Sequence, residues 1–290
     1  MSIIFVYFCG TTELKPNAPA EYFIMAKKIA IIGLGWLGLP LATSLTEKGY
    51  LINGSTRSYE KLMSLLKSGI IVKVIDIQNH GIKGKIASLL KEMEIVVIGI
   101  PPGNDKHYAY RLNHLIKHIP EGAKVIFISS TSVYGNPDEL VTEEFPTEPE
   151  TESAKSIVEA EYMFQLNFGA DLTIVRFAGL FGPNRHPGRF MNPNRKINRP
   201  QGVVNMIHQR DCLTLLTAII EQDKFGYIIN GCADQHPKRI EFYQKAAYEL
   251  SLTPPAFDME DETIGKTVCN KLSKSLLRMN YHCPNPMDWL

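Results

Sequence analysis

Much of what would announce a specialised protein is missing from these 290 residues. No stretch approaches the ~20 consecutive apolar residues of a membrane-spanning helix. The formal net charge of +1 leaves no general excess for nucleic acid or a membrane surface, so neither is expected as a partner. The 5 cysteines (Cys9, Cys212, Cys232, Cys269, Cys283) are odd in number and include no Cys-x-x-Cys pair. That argues against a disulfide framework and a zinc site, and fits reduced thiols in a cytoplasmic protein with no metal. Internal repeats and low-complexity segments are absent as well. What remains, 44% hydrophobic and 21% charged, is an ordinary globular composition, long enough for one large domain with a small lobe.

The most organised stretch is Lys27 to Ala42, where the uncharged apolar run Ile29 to Ile32 meets Gly33-Leu34-Gly35-Trp36-Leu37-Gly38 and then Leu37, Leu41 and Leu45 at helical spacing. A buried strand turning through glycines into a helix is a place for a dinucleotide. Gly33 makes the tight turn, Gly35 lets backbone approach a pyrophosphate, and Gly38 lets the helix pack close. The helix N-terminus, with the Trp36 and Leu37 amides, receives the phosphate charge. Glycines in this spacing also occur in ordinary turns; the flanking strand and helix patterns favour the cofactor reading. Residues 1–24 do not match the rest of the chain. Ile3 to Cys9 is apolar, but no basic residue precedes it and no cleavage site comes after it, so a disordered or misassigned extension is expected rather than a signal peptide.

Strands are expected at Tyr50 to Thr56, Ile70 to Asp76, Glu94 to Ile100, Lys124 onward, Asp171 to Phe177 and Gly226 to Gly231. Helices are expected at Glu60 to Ser68, Ile86 to Met93, Cys212 to Glu221 capped by Asp211, Ile240 to Leu250, and Lys271 to Met279. This beat predicts an α/β fold, a Rossmann-type doubly wound parallel sheet. Residues 25–180 would form the NAD(P)-binding domain, and 181–290 a mixed region completing the sheet and building a small substrate lobe. An acid after the second strand would bind a ribose diol, and an arginine a 2′-phosphate. Here stand Ser55, Thr56, Arg57 and Ser58, so NADP is preferred over NAD, with a merely solvated Arg57 as the alternative. Asp76 is a candidate for the adenine amino group, with a surface Asp that merely closes a strand as the equal alternative, and Pro101 opens a stiff loop facing the ligand crevice.

The run Ser129-Ser130-Thr131-Ser132-Val133-Tyr134-Gly135 ends a buried strand with more hydroxyls than solubility needs. It resembles the Ser-Ser-x-x-Val-Tyr-Gly pattern of the extended short-chain dehydrogenase/reductase family, the NAD-dependent epimerases and dehydratases. The resemblance implies that Ser130 hydrogen-bonds the reacting oxygen; a turn-forming serine run is the bland alternative. The family's Tyr-x-x-x-Lys is represented by Lys155, implied to bind the nicotinamide ribose. Thr151 stands where the Tyr belongs, and a threonine hydroxyl is far too weak an acid to replace a phenol. Tyr134 is the nearest phenol available for recruitment. Thr131-Ser132 occupies the place of the dehydratase branch's acidic pair, which sets elimination chemistry aside.

Between Leu172 and Arg210 there is no Asp or Glu, while Arg185, Arg189, Arg195, Lys196 and Arg199 gather in a Pro/Asn/Gly-rich loop. Arg185, His186 and Arg189 are therefore candidates for binding an anionic substrate, against the alternative of a solvated basic loop. His208 is read as orienting or core-satisfied. With Gly-Leu-Gly-Trp-Leu-Gly and Gly-Pro-Asn-Arg-His-Pro-Gly-Arg-Phe, the chain is similar to the YeeZ-like subgroup from Met25 to about Pro286. Two functions stay open: an oxidoreductase or epimerase acting on an anionic small molecule, the nucleotide-sugar kind included, and a non-catalytic NADP(H)-binding sensor. A UDP-glucose dehydrogenase, suggested by Gly33 to Ala42 alone, lacks its nucleophilic-cysteine domain here. Either a monomer or a homodimer is expected.

Overall fold

The computed structural model describes residues 26–65, 68–103, 105–191 and 195–290; the expectation for residues 1–24 lies outside them. Seven parallel strands form the central sheet. They are β1 (Lys28–Ile32), β2 (Leu51–Thr56), β3 (Ile71–Val74), β4 (Ile95–Ile98), β5 (Lys124–Ser130), β6 (Leu172–Phe177) and β7 (Ile228–Gly231). Across the sheet the order is β7-β6-β5-β4-β1-β2-β3. Ile29 to Ile32 and Ile95 to Ile98 are buried throughout, as central strands covered on both faces must be.

The helices are α1 (Gly38–Glu47), α2 (Tyr59–Leu65), α3 (Ile86–Leu90), α4 (Tyr108–Ile116), α5 (Glu152–Phe168), α6 (Gln209–Glu221), α7 (Arg239–Glu249) and α8 (Lys271–Leu277). From β1 the chain winds one way to β2 and β3, then returns to wind the other way through β4 and β5. Right-handed crossovers then put α1 and α4 on opposite faces. Accordingly α1 packs with α6, and α4 with α5. The winding reverses between β1 and β4, so a ligand crevice opens there at the carboxyl ends.

Three local features differ from the sequence expectations. The strand expected to run to Asp76 stops at Val74, and Asp76–Gln78 folds back on Gly81–Lys83 as an antiparallel hairpin. Helix α4 has no counterpart in the sequence reading. Its inward face is Tyr108, Ala109, Leu112 and Leu115, and its N-cap His107 makes no side-chain capping bond that could have flagged the start. Asp211 does not cap α6. It lies inside the first turn, while His208, extended at φ −76° and ψ 147°, accepts the Arg210 N–H on Nδ1 at 3.2 Å. The Asp211 carboxylate instead accepts the backbone N–H groups of His282 (2.6 Å) and Cys283 (3.0 Å), tying the C-terminal segment to α6.

Past β6, Gly179–Phe181 pairs with Met206–His208, and Leu140–Val141 pairs with Thr267–Val268. A second small core of Phe181, Val204, Met206, Phe242 and Tyr243 lies under this region. These pairings bring residues 199–205 and 264–268 over the carboxyl end of β5. No helix among the described residues is long and apolar enough to cross a membrane.

Candidate active site

The glycine-rich turn has the geometry that its spacing implies. Gly33 sits at φ +105°, where a Cβ would stand 3.1 Å from the Gly99 carbonyl oxygen. A Cβ on Gly38 would fall 2.1 Å from the Gly33 carbonyl oxygen, so only glycine lets α1 start so close to the turn. Gly35 is the opposite case. It is exposed, and a Cβ there would meet nothing within 4 Å, which leaves its backbone bare toward the crevice. The Leu37 N-cap contributes no side-chain hydrogen bond, and no acid stands in the first turn of α1. The first N–H groups of the helix are thus unclaimed by side chains and suited to an anion.

Ser55 fastens the turn to β2: its Oγ accepts the Gly33 N–H at 2.9 Å, and its carbonyl accepts the Leu34 N–H at 2.7 Å. Beyond it opens a crevice of about 850 Å³, lined among others by Gly35, Thr56, Arg57, Lys61, Asp76 and Pro101. That volume lies within the range of cofactor sites. Thr56 is buried and accepts the Ser58 N–H on Oγ1 (3.2 Å), holding the bend that turns Arg57 outward. Asp76 reaches the crevice from the hairpin and accepts a hydrogen bond from Gln78 Nε2 at 2.5 Å. Arg111, on the unexpected α4, donates to the Ile77 carbonyl (2.9 Å) and pairs with Asp105, closing the far wall. The residues fit a dinucleotide: bare amides at the turn, cations at the end of β2, and apolar walls from Ile75, Ile77 and Ile100.

Trp36 and Leu37 turn their side chains away from this crevice. Leu37 joins the core, and the Trp36 indole donates to the Pro183 carbonyl at 2.7 Å, beneath the Arg185 guanidinium 5.6 Å from its ring. What these two residues can offer a cofactor is backbone.

At the end of β5 the hydroxyl run divides by strand alternation. Ser129 points inward and donates to Glu161, which holds Arg176 through two hydrogen bonds of 3.0 and 2.6 Å. Burial opposes the Arg176 charge, but hydrogen bonds and attraction from Glu161 outweigh it and raise its pKa. Ser130 faces the other way. Its Oγ accepts the Ser132 N–H (3.1 Å), capping a short 3₁₀ turn, and it lines a second cavity of about 240 Å³. Arg199, Arg239, Lys266 and Asn205 share that wall, and no Asp or Glu does. Burial lowers the Lys266 pKa to about 8, with Glu150 opposing and Arg199 assisting the shift. Burial also lowers Arg239, whose Nε is buried without a hydrogen-bond partner among the described residues.

Other residues singled out in the sequence do not reach either cavity. Tyr134 is fully buried; its hydroxyl donates to Asn230 at 2.8 Å, and Arg176 lies 4.8 Å from its ring. Burial raises its pKa, so Tyr134 is a packing residue without access to a reacting oxygen, and recruiting it as proton source is set aside. Thr151 is the N-cap of α5 and accepts the Ala154 N–H at 3.1 Å. Lys155 is exposed, on neither cavity wall, and pairs with Glu152 at 2.9 Å. Arg185 donates to the Leu180 carbonyl at 2.9 Å and covers Trp36 and Phe190, while Arg189 is exposed. His186 accepts the Gly188 N–H at 3.1 Å, and burial lowers its pKa. The tight space around Gly188 is for packing, since a Cβ there would stand 2.4 Å from the Ala246 carbonyl oxygen. Of the basic loop only Arg199 reaches the Ser130 cavity. Arg239 and Lys266, which complete the cation set, carry no local spacing signal.

Residues 28–143 match the family described as the NAD binding domain of 6-phosphogluconate dehydrogenase. Protein YeeZ of Escherichia coli (strain K12) is 34% identical over 273 residues, covering 90% of this chain and 98% of YeeZ. Among solved structures, a functionally unknown conserved protein from Silicibacter pomeroyi aligns with a TM-score of 0.72 at 23% identity, over 91% of this chain and 96% of that one. UDP-glucuronic acid 4-epimerase from Bacillus cereus, in complex with UDP-glucuronic acid and NAD, aligns with a TM-score of 0.73 at 17% identity, over 90% and 96%. At those identities the two structures speak for the fold. The chain belongs to the YeeZ family.

Proposed function

We propose that this protein is an NADP(H)-dependent oxidoreductase or epimerase of the extended short-chain dehydrogenase/reductase type, acting on an anionic small molecule. The observation that carries it is the arrangement at the carboxyl edge of the sheet. The bare Gly35 turn follows β1, Ser130 ends β5, and only β4 lies between them. A bound nicotinamide supplies hydride exchange at carbon. The chain's part is to hold the pyrophosphate on the amides opening α1, to meet a 2′-phosphate with Arg57 and Lys61, and to hydrogen-bond the reacting oxygen through Ser130 Oγ. Lys155 serves the ribose by leaving its exposed pair with Glu152, which costs little because such pairs are weak.

The end of β2 favours NADP over NAD, since residues 55–58 include Arg57 and no acid. Fluorescence titration with NADPH and NADH checks this. Arg57→Asp is expected to weaken NADPH by about tenfold more than NADH, through loss of one charge-assisted contact, and equal losses count against NADP.

A second reading has its own observation. Trp36, inside the cofactor turn, donates to Pro183, and its carbonyl accepts from Gln209 at 2.7 Å, so the turn is wired to the loop around Arg185. A sensor that reports NADP(H) occupancy through that loop needs no proton source. Thr151→Tyr separates the two. A rise in turnover of a trial carbonyl substrate supports an enzyme lacking only its acid, and no change at any pH supports the sensor.

A further inference from the structure

The Ser130 cavity has a chemical character that the dinucleotide crevice does not share. Its wall carries Arg199, Arg239 and Lys266 around about 240 Å³, with Ser130, Thr131 and Asn205 as neutral donors and acceptors and no carboxylate. Among the described residues none of these cations makes an ion pair within 4.0 Å; the pairs found there belong to other residues. Asp261 attracts Arg199 and Arg239, and Glu150 attracts Lys266, from outside this wall. Within it no carboxylate stands, and grouping like charges in a partly buried space favours an anion that completes it.

The scaffold holds these cations in place. Arg199 has φ +56°, a left-handed conformation uncommon for a side-chain-bearing residue, and its N–H is bound by Asp261 Oδ2 at 3.2 Å. Gly265 makes room for its guanidinium, since a Cβ there would stand 3.2 Å from Arg199 Nη1. Asn205 grips the neighbouring segment from both sides, donating to the Lys266 carbonyl at 2.8 Å and accepting the Val268 N–H at 2.9 Å. Lys266 Nζ donates to the Gly135 carbonyl, and Arg239 Nε is buried with no partner among the described residues.

We propose that this cavity binds a small phosphate monoester whose oxyanion lies directly beside the oxygen held by Ser130, and that nucleotide sugars are not its ligands. The proposal rests on the reading of Ser130 as the group that holds the reacting oxygen. The size argues for it: the space among the cations, about 240 Å³, is the liquid volume of about eight waters, small beside the roughly 850 Å³ of the crevice at the glycine turn. So does the charge. Two arginine forks and one ammonium match the three terminal oxygens of a phosphate dianion better than a single carboxylate. The anion also acts on Lys266. Burial and Arg199 beside it disfavour its proton, Glu150 favours it, and a bound dianion adds to Glu150 and restores the charge.

Titration calorimetry of the full chain, loaded with NADPH, tests this with inorganic phosphate, glycerol 3-phosphate, malate and UDP-glucose. Glycerol 3-phosphate is expected to bind most tightly, and Arg239→Met and Arg199→Met each to weaken it by about tenfold to a hundredfold. At pH 8, in buffers of different ionisation heat, binding is expected to take up protons in the native chain and not in Lys266→Met. Tighter binding of UDP-glucose or malate, phosphate binding indifferent to both arginine substitutions, or no anion binding at millimolar concentration overturns the proposal. NADPH binding and thermal melting of the same samples separate these results from misfolding. Loss of NADPH binding in the native chain counts against the cofactor reading instead.

Discussion

The dinucleotide crevice and the Ser130 cavity face the same edge of one sheet and are built on opposite principles. The crevice is made by omission: Gly35 carries no side chain, α1 no capping group, and the space fits because atoms are missing. The Ser130 wall is made by commitment. Behind it Ser129, Glu161, Arg176, Tyr134 and Asn230 form a chain of buried polar contacts, and in front of it cations converge from segments far apart in sequence. A backbone cradle tolerates much around it but nothing within it. A buried polar network tolerates no missing member.

The largest expected effect tests that contrast. Arg176→Met leaves the Glu161 carboxylate buried beside Ser129 alone, and should cost about 3–5 kcal/mol in denaturant unfolding, with much of the loss recovered when Glu161→Met is added. NADPH affinity of the folded fraction should stay within a few-fold of native; a parallel collapse would merge the two regions into one unit. Next come the glycines. Gly38→Ala should destabilise the fold by about 1–3 kcal/mol through overpacking. Gly35→Ala should leave the melting temperature nearly unchanged and still weaken NADPH by about tenfold or more, because the added methyl occupies ligand space rather than protein space. Equal stability loss for both would contradict the division of roles.

The smallest effect concerns Lys266. Its folded pKa of about 8 lies below the ordinary lysine value of 10.5, so the unfolded chain binds more protons between those values and stability rises with pH across that window. Below pH 8 the charge is a burden. Lys266→Met should therefore stabilise the protein at pH 7 by about 1 kcal/mol, after allowance for solvent screening, with the gain vanishing above about pH 10.5. A destabilisation at pH 7 would show that packing of the lysine stem outweighs its charge.

The crevice is legible in the sequence because its determinants are local. Gly33, Gly35 and Gly38, the apolar run before them and Arg57 after β2 lie within one strand-helix-strand unit, where spacing carries geometry. Helix α4 is hard to see although Tyr108, Leu112 and Leu115 sit at helical intervals, because no side-chain cap marks its start and histidines interrupt the pattern. The hairpin at Asp76 hides inside a plausible longer strand, and Gly81 and Gly84, both at positive φ, are its signal. The Ser130 cavity is half legible. The hydroxyl run points to a reacting oxygen and the acid-free stretch to an anion, yet the candidates read from that stretch are Arg185, His186 and Arg189 rather than Arg199. Arg239 and Lys266 cannot be found from spacing, since contacts between distant segments, among them the pairing of Leu140–Val141 with Thr267–Val268 and the contact of Val203 with Lys238, bring them to Ser130.

A crystal structure of the full chain with NADPH bound tests the central claim most directly. The pyrophosphate oxygens are expected within hydrogen-bond distance, about 2.7–3.2 Å, of backbone N–H groups between Gly35 and Gly38, with the 2′-phosphate beside Arg57. A pyrophosphate bound elsewhere, or an empty crevice at millimolar NADPH, would contradict it.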